Sequence, residues 1–189
     1  EIGWCDWSSD VCSSDLLLGG ILEAKAMNPV DFSWQLASRL NAECMLYLAP
    51  LFVDSAETKR ALIDKCGLDR LLGVAQALDL AIISCGDLGT TGSSMTMDFL
   101  GPEERAALLA AGAICDAGCN FLDAEGRDVD TPLRHRIMNV DLGTIARAGH
   151  VILAAGGARR AAAIRATVLR TNCRTLITDE AAATALLQL

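Results

Sequence analysis

The chain has 189 residues, which is enough for one domain with a sizeable hydrophobic core. Hydrophobic residues make up 52% and charged residues 21%, and this balance excludes an intrinsically disordered chain. The longest apolar runs are far shorter than a membrane span, and a net charge of −8 argues against direct binding to nucleic-acid phosphates.

The first sixteen residues, EIGWCDWSSDVCSSDL, differ in character from the rest of the chain. They contain a near-repeat around Ser-Ser-Asp, follow neither helical nor strand periodicity, and lack the basic start and apolar middle of a signal peptide. The stretch WSSDVCSSDL resembles the conceptual translation of a sequencing-library adapter, so we expect residues 1–16 to be an artefact; a natural Ser/Asp-rich linker is the alternative. The domain proper is then residues 17–189, with 20 acids against 16 bases and an N-terminus that begins mid-protein.

From there on the sequence alternates helical and strand patterns. Apolar spacing, N-terminal capping residues and prolines predict helices at residues 30–41, 55–66, 68–78, 102–112, 141–148, 158–169 and 179–187. Short apolar or β-branched runs predict strands at residues 43–49, 80–85, 113–116, 120–123, 136–140, 151–155 and 175–178. Asp54 or Ser55 is expected to cap the second helix, with Glu57 completing a capping box.

This alternation predicts an α/β fold with a parallel sheet that carries helices on both faces. In such sheets ligands bind at the carboxyl ends of the strands. The six cysteines outside residues 1–16 form no CxxC pair and have no histidine at metal-ligand spacing, so we predict neither zinc nor another cofactor. Without a secretory signal, they are expected to be buried thiols in a reducing cytoplasm.

Two strand ends carry glycine and charge. Gly156 and Gly157 follow a predicted strand, and Arg159 and Arg160 lie in the first turn of the next helix, where an anionic partner would explain their charge. A plain tight connection with solvated arginines explains the pattern equally well. The last strand is followed by Thr178, Asp179 and Glu180, which either cap a helix or accept hydrogen bonds from sugar hydroxyls; capping is the simpler interpretation.

Two further segments are candidates for binding polar ligands. The loop at residues 84–94 is rich in glycine and hydroxyl groups, and Gly86, Asp87, Ser93 and Ser94 suit contacts to a polyol or phosphate, although a flexible loop has the same composition. Asp116 ends a short strand and could bind hydroxyls or act as a base; a solvent-facing acid on an edge strand is the alternative.

Taken in order, these segments resemble the C-terminal effector domain of SorC/DeoR-type bacterial transcriptional regulators. The matching pieces are LGG followed by AMNPVDFSWQLASRLNAE, then LAPLFVDSAETKRALI, DLAIISCGDLG, GAICDAGCNFLDAEGR, VILAAGGARRAAAI and TLITDEAAATALL, and together they cover essentially residues 17–189. The resemblance implies a Rossmann-like fold akin to sugar-phosphate isomerases and deaminases. It also implies a non-enzymatic domain that binds a sugar, polyol or sugar phosphate and forms a homodimer or homotetramer.

The resemblance extends to individual positions. Asp116 matches a hydroxyl-binding carboxylate, Arg160 stands where the family usually has lysine, Asn28 matches a polar helix start near the ligand, and Gly86 matches the last glycine of a GIG-like loop whose first two residues are Ser84 and Cys85 here. We expect residues 17–189 to lack the helix-turn-helix of such regulators, so DNA would be contacted only through that N-terminal domain. A sugar-phosphate isomerase or deaminase on the same fold, and a purely oligomerising domain, are the alternative functions.

Overall fold

A computed structural model describes residues 13–15, 17–20, 29–89 and 100–189 of the chain. The strands in chain order are β1 (Ser13–Asp15), β2 (Glu43–Met45), β3 (Leu80–Ile83), β4 (Cys85–Asp87), β5 (Cys115–Ala117), β6 (Asn120–Leu122), β7 (His150–Ala154) and β8 (Thr175–Ile177). The helices are α1 (Pro29–Leu40), α2 (Ala56–Lys65), α3 (Leu68–Val74), α4 (Pro102–Ala110), α5 (Leu142–Ile145), α6 (Ala161–Thr171) and α7 (Glu180–Leu186). Short 3₁₀ turns lie at Ala75–Ala77, Pro132–Arg136 and Ala158–Arg160.

Strands β3, β7 and β8 form a parallel sheet in that order. Its strands alternate in burial: Ala81 and Ile83 of β3, and Val151 and Leu153 of β7, are buried on one face. That face shares a hydrophobic core with α6, which contributes Ala163, Ile164 and Ala166. The sheet and its flanking helices confirm the predicted α/β class.

A second sheet, antiparallel and ordered β4-β5-β6, was not predicted as a separate unit. Residues 80–85 were expected to form one strand, but Ser84 separates β3 from β4, and the chain passes there from one sheet to the other. All three residues of the central strand β5 are buried. The second sheet therefore begins where the parallel sheet has its carboxyl edge.

Residues 13–15 form β1, which pairs in parallel with β2. The sequence predicted no strand in residues 1–16, and that expectation was wrong for these three residues. Whether the segment is adapter-derived stays a prediction. Strand β2 is shorter than the predicted 43–49.

Local differences from the predicted elements have clear causes. Residues 136–140 form no strand; only isolated bridges join Ile137 to Phe52 and Asn139 to Leu18. Helix α2 is capped by Ser55, whose side chain accepts the backbone N–H of Thr58. Thr58 thus occupies the position that a capping-box acid needs, so the predicted role of Glu57 was wrong.

Hydrophobic side chains form two clusters. The larger one lies between the parallel sheet, α3, α5 and α6, and the smaller one gathers side chains of α4, the second sheet and the Pro132–Arg136 turn. Arg136 connects the Pro132–Arg136 turn to two other segments beside the smaller cluster. It forms an ion pair with Glu104 of α4 (2.9 Å), and its Nε donates a hydrogen bond to the Val53 carbonyl. Within the described ranges, no helix is both long and apolar enough to span a membrane.

Candidate functional site

The candidate site lies at the carboxyl edge of the parallel sheet. Strand β3 leads there through Ser84 into β4, β7 leads into Gly156 and Gly157, and β8 leads into Thr178. Because the carboxyl ends of parallel strands meet at one edge, the three loops are brought together as the sequence predicted.

Asp179 holds the diglycine turn against α7. Its Oδ2 accepts the backbone N–H of Gly157 (2.6 Å), and its Oδ1 accepts the backbone N–H of Ala182 (2.8 Å), which caps the helix. Gly157 has φ +95°, a conformation that favours glycine, and a Cβ on Gly156 would lie 2.5 Å from Asp179 Oδ2. These contacts give Asp179 the capping role and add a second one, that of fastening the turn.

The turn is also tied to the second sheet by charge. The exposed guanidinium of Arg159 lies 3.6 Å from the mostly buried carboxylate of Asp87 in β4. Arg160, the next residue, stands at the N-cap position of α6. The Ala158–Arg160 turn therefore lies beside β4, with one arginine paired and the next at the start of a helix.

Asp116 occupies the middle of β5, directly across from Gly86 in β4. Its side chain is buried, with 8% of the residue exposed, so the alternative of a solvent-facing acid is wrong. One carboxylate oxygen, Oδ2, accepts the backbone N–H of Cys119 (3.3 Å), whose φ is +59°. This hydrogen bond ties the Asp116 carboxylate to the backbone of the β5–β6 connection.

Strand β4 carries the buried thiol of Cys85. Burial raises the pKa of Cys85 to about 11; a hydrogen bond with Thr167 lowers it, Asp116 and Asp87 raise it, and Arg160 lowers it. Strand β4 is paired with β5, which carries Asp116, and it is also contacted by the Ala158–Arg160 turn. The structure thus brings Asp116 and the Arg160 turn to the same strand.

The remaining predicted residues divide into those the structure describes and those it does not. Gly86 is buried in β4, and Glu180 is exposed as the first residue of α7. Asn28, Ser93 and Ser94 lie outside the described residues, so their predicted roles stay predictions.

Two features of the site were not in the predicted set. Arg159 was noted only as part of the basic turn, and its pairing with Asp87 follows from tertiary structure rather than from any local signal. Thr178 Oγ1, at the end of β8, is buried without a hydrogen-bond partner in the described part of the chain. The sequence suggested Thr178 as a cap, but Asp179 takes that role and leaves the hydroxyl at the sheet edge.

The site is a mixture of carboxylates and guanidinium groups. Three acids (Asp87, Asp116 and Asp179) and two bases (Arg159 and Arg160) lie on β4, on its neighbour β5, or in the segments that follow β7 and β8. Carboxylates accept hydrogen bonds from hydroxyls, and guanidinium groups donate to hydroxyl or phosphate oxygens. Among the described residues, no group of three or more His, Cys, Asp or Glu is arranged to hold a metal ion.

Comparisons with known proteins give a consistent result. The profile of a family described as "Putative sugar-binding domain" matches residues 16–188. The erythritol catabolism regulatory protein EryD of Brucella abortus is 25% identical over 171 residues, which make up 90% of this chain and 54% of EryD. The transcriptional regulator LsrR of Klebsiella pneumoniae is 30% identical over 156 residues, covering 80% of this chain and 48% of LsrR. The chain spans about half the length of these curated relatives.

Solved structures share the fold at low sequence identity. The probable sor operon regulator from Shigella flexneri superposes with a TM-score of 0.84 and 19% identity, over 93% of this chain and 69% of that chain. The full-length sorbitol operon regulator SorC from Klebsiella pneumoniae has a TM-score of 0.83 and 21% identity, over 93% of this chain and 57% of that chain. At these identities the likeness establishes the fold.

Proposed function

The chain belongs to the family of sugar-binding domains found in SorC/DeoR-type transcriptional regulators, as its motifs predicted, and from this premise we propose that it senses a carbohydrate effector at the carboxyl edge of its parallel sheet. The observation that carries the proposal is that β5, which holds Asp116, and the Ala158–Arg160 turn both contact β4. A buried carboxylate and a basic turn that are both brought to β4 can provide acceptors and donors for a hydroxyl-rich ligand.

Each charged residue has a distinct proposed role. Asp116 accepts hydrogen bonds from ligand hydroxyls, because it is fixed by the Cys119 N–H and surrounded by protein. Arg160 donates to ligand oxygens from the start of α6, where the helix N-terminus also favours negative charge. Asp179 positions the turn rather than contacting ligand, since both its oxygens already accept backbone N–H groups.

The effector is a sugar, a polyol or a sugar phosphate, and the charges favour the neutral members of this set. Three carboxylates around two guanidinium groups disfavour a dianionic phosphate unless it displaces Asp87 from Arg159. A neutral polyol meets no such competition. The curated relative EryD is named for erythritol catabolism and the structural neighbour SorC for the sorbitol operon, which makes four- and six-carbon polyols natural first probes.

We propose that the site binds its ligand without converting it. An isomerase or deaminase needs a positioned base and a proton partner. His150 begins β7, at the end of the sheet opposite to the site, and Lys59 is engaged with the Ile137 carbonyl (2.6 Å). In the described part of the chain, the charged residues near the strand ends are carboxylates and arginines, which suit recognition.

Control of transcription would then follow from ligand binding here. An effector that binds one arrangement of the domain more tightly shifts the population toward that arrangement. The excess of acidic over basic residues in the domain, 20 against 16 in residues 17–189, supports DNA contact through another part of such a regulator rather than through this domain. We further propose a cytoplasmic homo-oligomer, in keeping with the regulators that the chain resembles.

Thermal shift and titration calorimetry test the proposal with a panel of erythritol, sorbitol, ribose 5-phosphate, glucosamine 6-phosphate and the matching free sugars. A true effector at about 100-fold its Kd should stabilise the chain by about 2.7 kcal/mol. That corresponds to a Tm increase of roughly 5–10 °C for a domain of this size. Comparing each phosphate with its free sugar separates a phosphorylated from a neutral effector.

Matched variants assign the contacts. Asp116→Asn keeps the side-chain shape and Arg160→Met keeps much of its length, and each should weaken binding by roughly 10-fold or more. Asp69→Asn in α3 and Arg165→Met on α6 remove similar charges elsewhere and should leave affinity unchanged. Unchanged affinity in the Asp116 and Arg160 variants, alongside a ligand that clearly stabilises the wild-type chain, would place the effector site elsewhere.

A further inference from the structure

The diglycine turn has the composition of an anion-binding turn, and its sequence indicated an anionic partner for the arginines. Two of its donors already have carboxylate partners within the chain. The Gly157 N–H donates to Asp179 Oδ2 (2.6 Å). The guanidinium of Arg159 lies 3.6 Å from Asp87 Oδ2. The chain itself therefore supplies carboxylates where the sequence indicated an external anion.

The carboxylate of Asp87 is held more firmly than the guanidinium that it pairs with. The Asp87 side chain is 17% exposed, against 59% for Arg159. Asp87 is the last residue of β4, and the whole of this strand is paired with β5. Both α6 and the Ala158–Arg160 turn contact β4. An exposed arginine can change its rotamer, whereas the mostly buried carboxylate on a paired strand stays beside the turn.

A fixed carboxylate beside the turn acts differently on neutral and on dianionic ligands. A phosphate group bound to Arg159 would lie close to the Asp87 carboxylate, because the two side chains are already an ion pair. Like charges at short range repel each other strongly when they are partly shielded from water. A hydroxyl group carries no net charge and can donate a hydrogen bond to a carboxylate. The turn therefore penalises a phosphate group and tolerates a hydroxyl group.

We propose that Asp87 is a specificity-determining residue that excludes phosphorylated effectors from the diglycine turn. It keeps Arg159 paired and places a fixed negative charge where a phosphate group would bind. Asp179 reinforces the exclusion, because its carboxylate already occupies the Gly157 N–H. The inference rests on the proposed effector site and narrows its ligand to sugars and polyols without a phosphate group. Because it assigns the exclusion to one side chain, exchanging that side chain should admit phosphate.

Titration calorimetry with inorganic phosphate at low ionic strength tests the role of Asp87 without knowledge of the effector. Asp87→Asn keeps the shape of the side chain, removes its negative charge and releases Arg159 from the ion pair. We expect this variant to bind inorganic phosphate roughly 10-fold or more tightly than the wild-type chain does. The gain should shrink at about 1 M salt, where the screening length falls to about 3 Å.

Two further variants check that the gain comes from the released Arg159. Asp128→Asn is the matched control, because Asp128 forms an ion pair of the same kind with Arg170 (2.9 Å), in the last turn of α6 and at the other end of this helix from the diglycine turn. It changes the net charge by the same amount and should leave phosphate affinity at the wild-type value. Adding Arg159→Gln to Asp87→Asn should abolish the gain. Circular dichroism and thermal melting check that every variant is folded.

Three results with inorganic phosphate would overturn the proposal. The wild-type chain might already bind phosphate as tightly as Asp87→Asn does, Asp128→Asn might show an equal gain, or the gain might survive the loss of Arg159. A wild-type chain that binds ribose 5-phosphate more tightly than ribose would overturn it as well, while leaving the proposed sensing function intact. Failure of every sugar and polyol to stabilise the wild-type chain, with the phosphate gain of Asp87→Asn present, would instead count against the proposed function alone.

Discussion

Replacing Asp179 with alanine removes two contacts that join the diglycine turn to α7. The first is the helix cap, in which Oδ1 accepts the Ala182 N–H, and loss of such a cap costs about 1 kcal/mol. The second is the hydrogen bond from the Gly157 N–H to Oδ2, which contributes roughly another 1 kcal/mol because the acceptor is charged but exposed. Both N–H groups can turn to water, so we expect a total loss of about 2 kcal/mol in the free energy of unfolding.

Urea unfolding followed by circular dichroism measures this loss. Asp179→Asn keeps one acceptor oxygen and should lose about 1 kcal/mol, half of the alanine effect. Glu180→Ala, at the adjacent exposed position, removes only an interaction with the helix dipole and should cost under about 0.5 kcal/mol. If the free energy of unfolding of Asp179→Ala lies within about 0.5 kcal/mol of the wild-type value, which is less than the loss of a helix cap alone, then the carboxylate does not fasten the turn.

Three further predictions follow from the same structure. Gly156→Ala should lower the free energy of unfolding in urea by about 1–2 kcal/mol, since its Cβ would lie 2.5 Å from Oδ2 of Asp179. Most of that loss should vanish when Gly156→Ala is made in the Asp179→Ala variant, which lacks the carboxylate. Gly126→Ala should cost more, about 3 kcal/mol, because φ is +76° and its Cβ would lie 2.6 Å from the Ala166 carbonyl oxygen, which is backbone and cannot swing away. Burial raises the pKa of Cys85 to about 11 and of Cys115 to about 12, whereas both thiols ionise near 9.0 in the unfolded chain. The unfolded state therefore loses protons first, and the free energy of unfolding should fall as the pH rises past about 9. The fall should be smaller in the variant that carries both Cys85→Ala and Cys115→Ala. Equal slopes of unfolding free energy against pH in the wild-type chain and this variant would contradict the prediction.

The elements that local patterns define well were predicted closely. Proline at the first turn and Glu104 reaching back to the Gly101 N–H (3.1 Å) mark the start of α4, and the structure begins the helix at Pro102. The apolar run before the diglycine turn predicted β7 to within one residue. In these segments the periodicity, the capping chemistry and the tertiary structure agree, which is why sequence reasoning succeeded.

Sheet membership could not be predicted in the same way. The run from Leu80 to Cys85 is continuously compatible with one strand, and nothing local indicates that Ser84 separates two sheets. Residues 136–140 have strand-like composition but find only isolated bridge partners. In both cases the outcome depends on which distant backbone is available for pairing, and one sequence carries no direct record of that.

The candidate site combines strands of the second sheet with the Ala158–Arg160 turn, and different contacts hold these two parts in place. The difference indicates which part a bound ligand can move. Asp116 and Asp87 lie on strands of the second sheet, where backbone pairing and burial fix them. Arg160 lies on a turn that is held from outside by carboxylates, through Arg159 to Asp87 and through Gly157 to Asp179. The contacts of the turn are the more exposed and easier to rearrange. A ligand that bridges Asp116 and Arg160 is therefore expected to move the turn rather than the sheet, and Asp179 connects that movement to the start of α7.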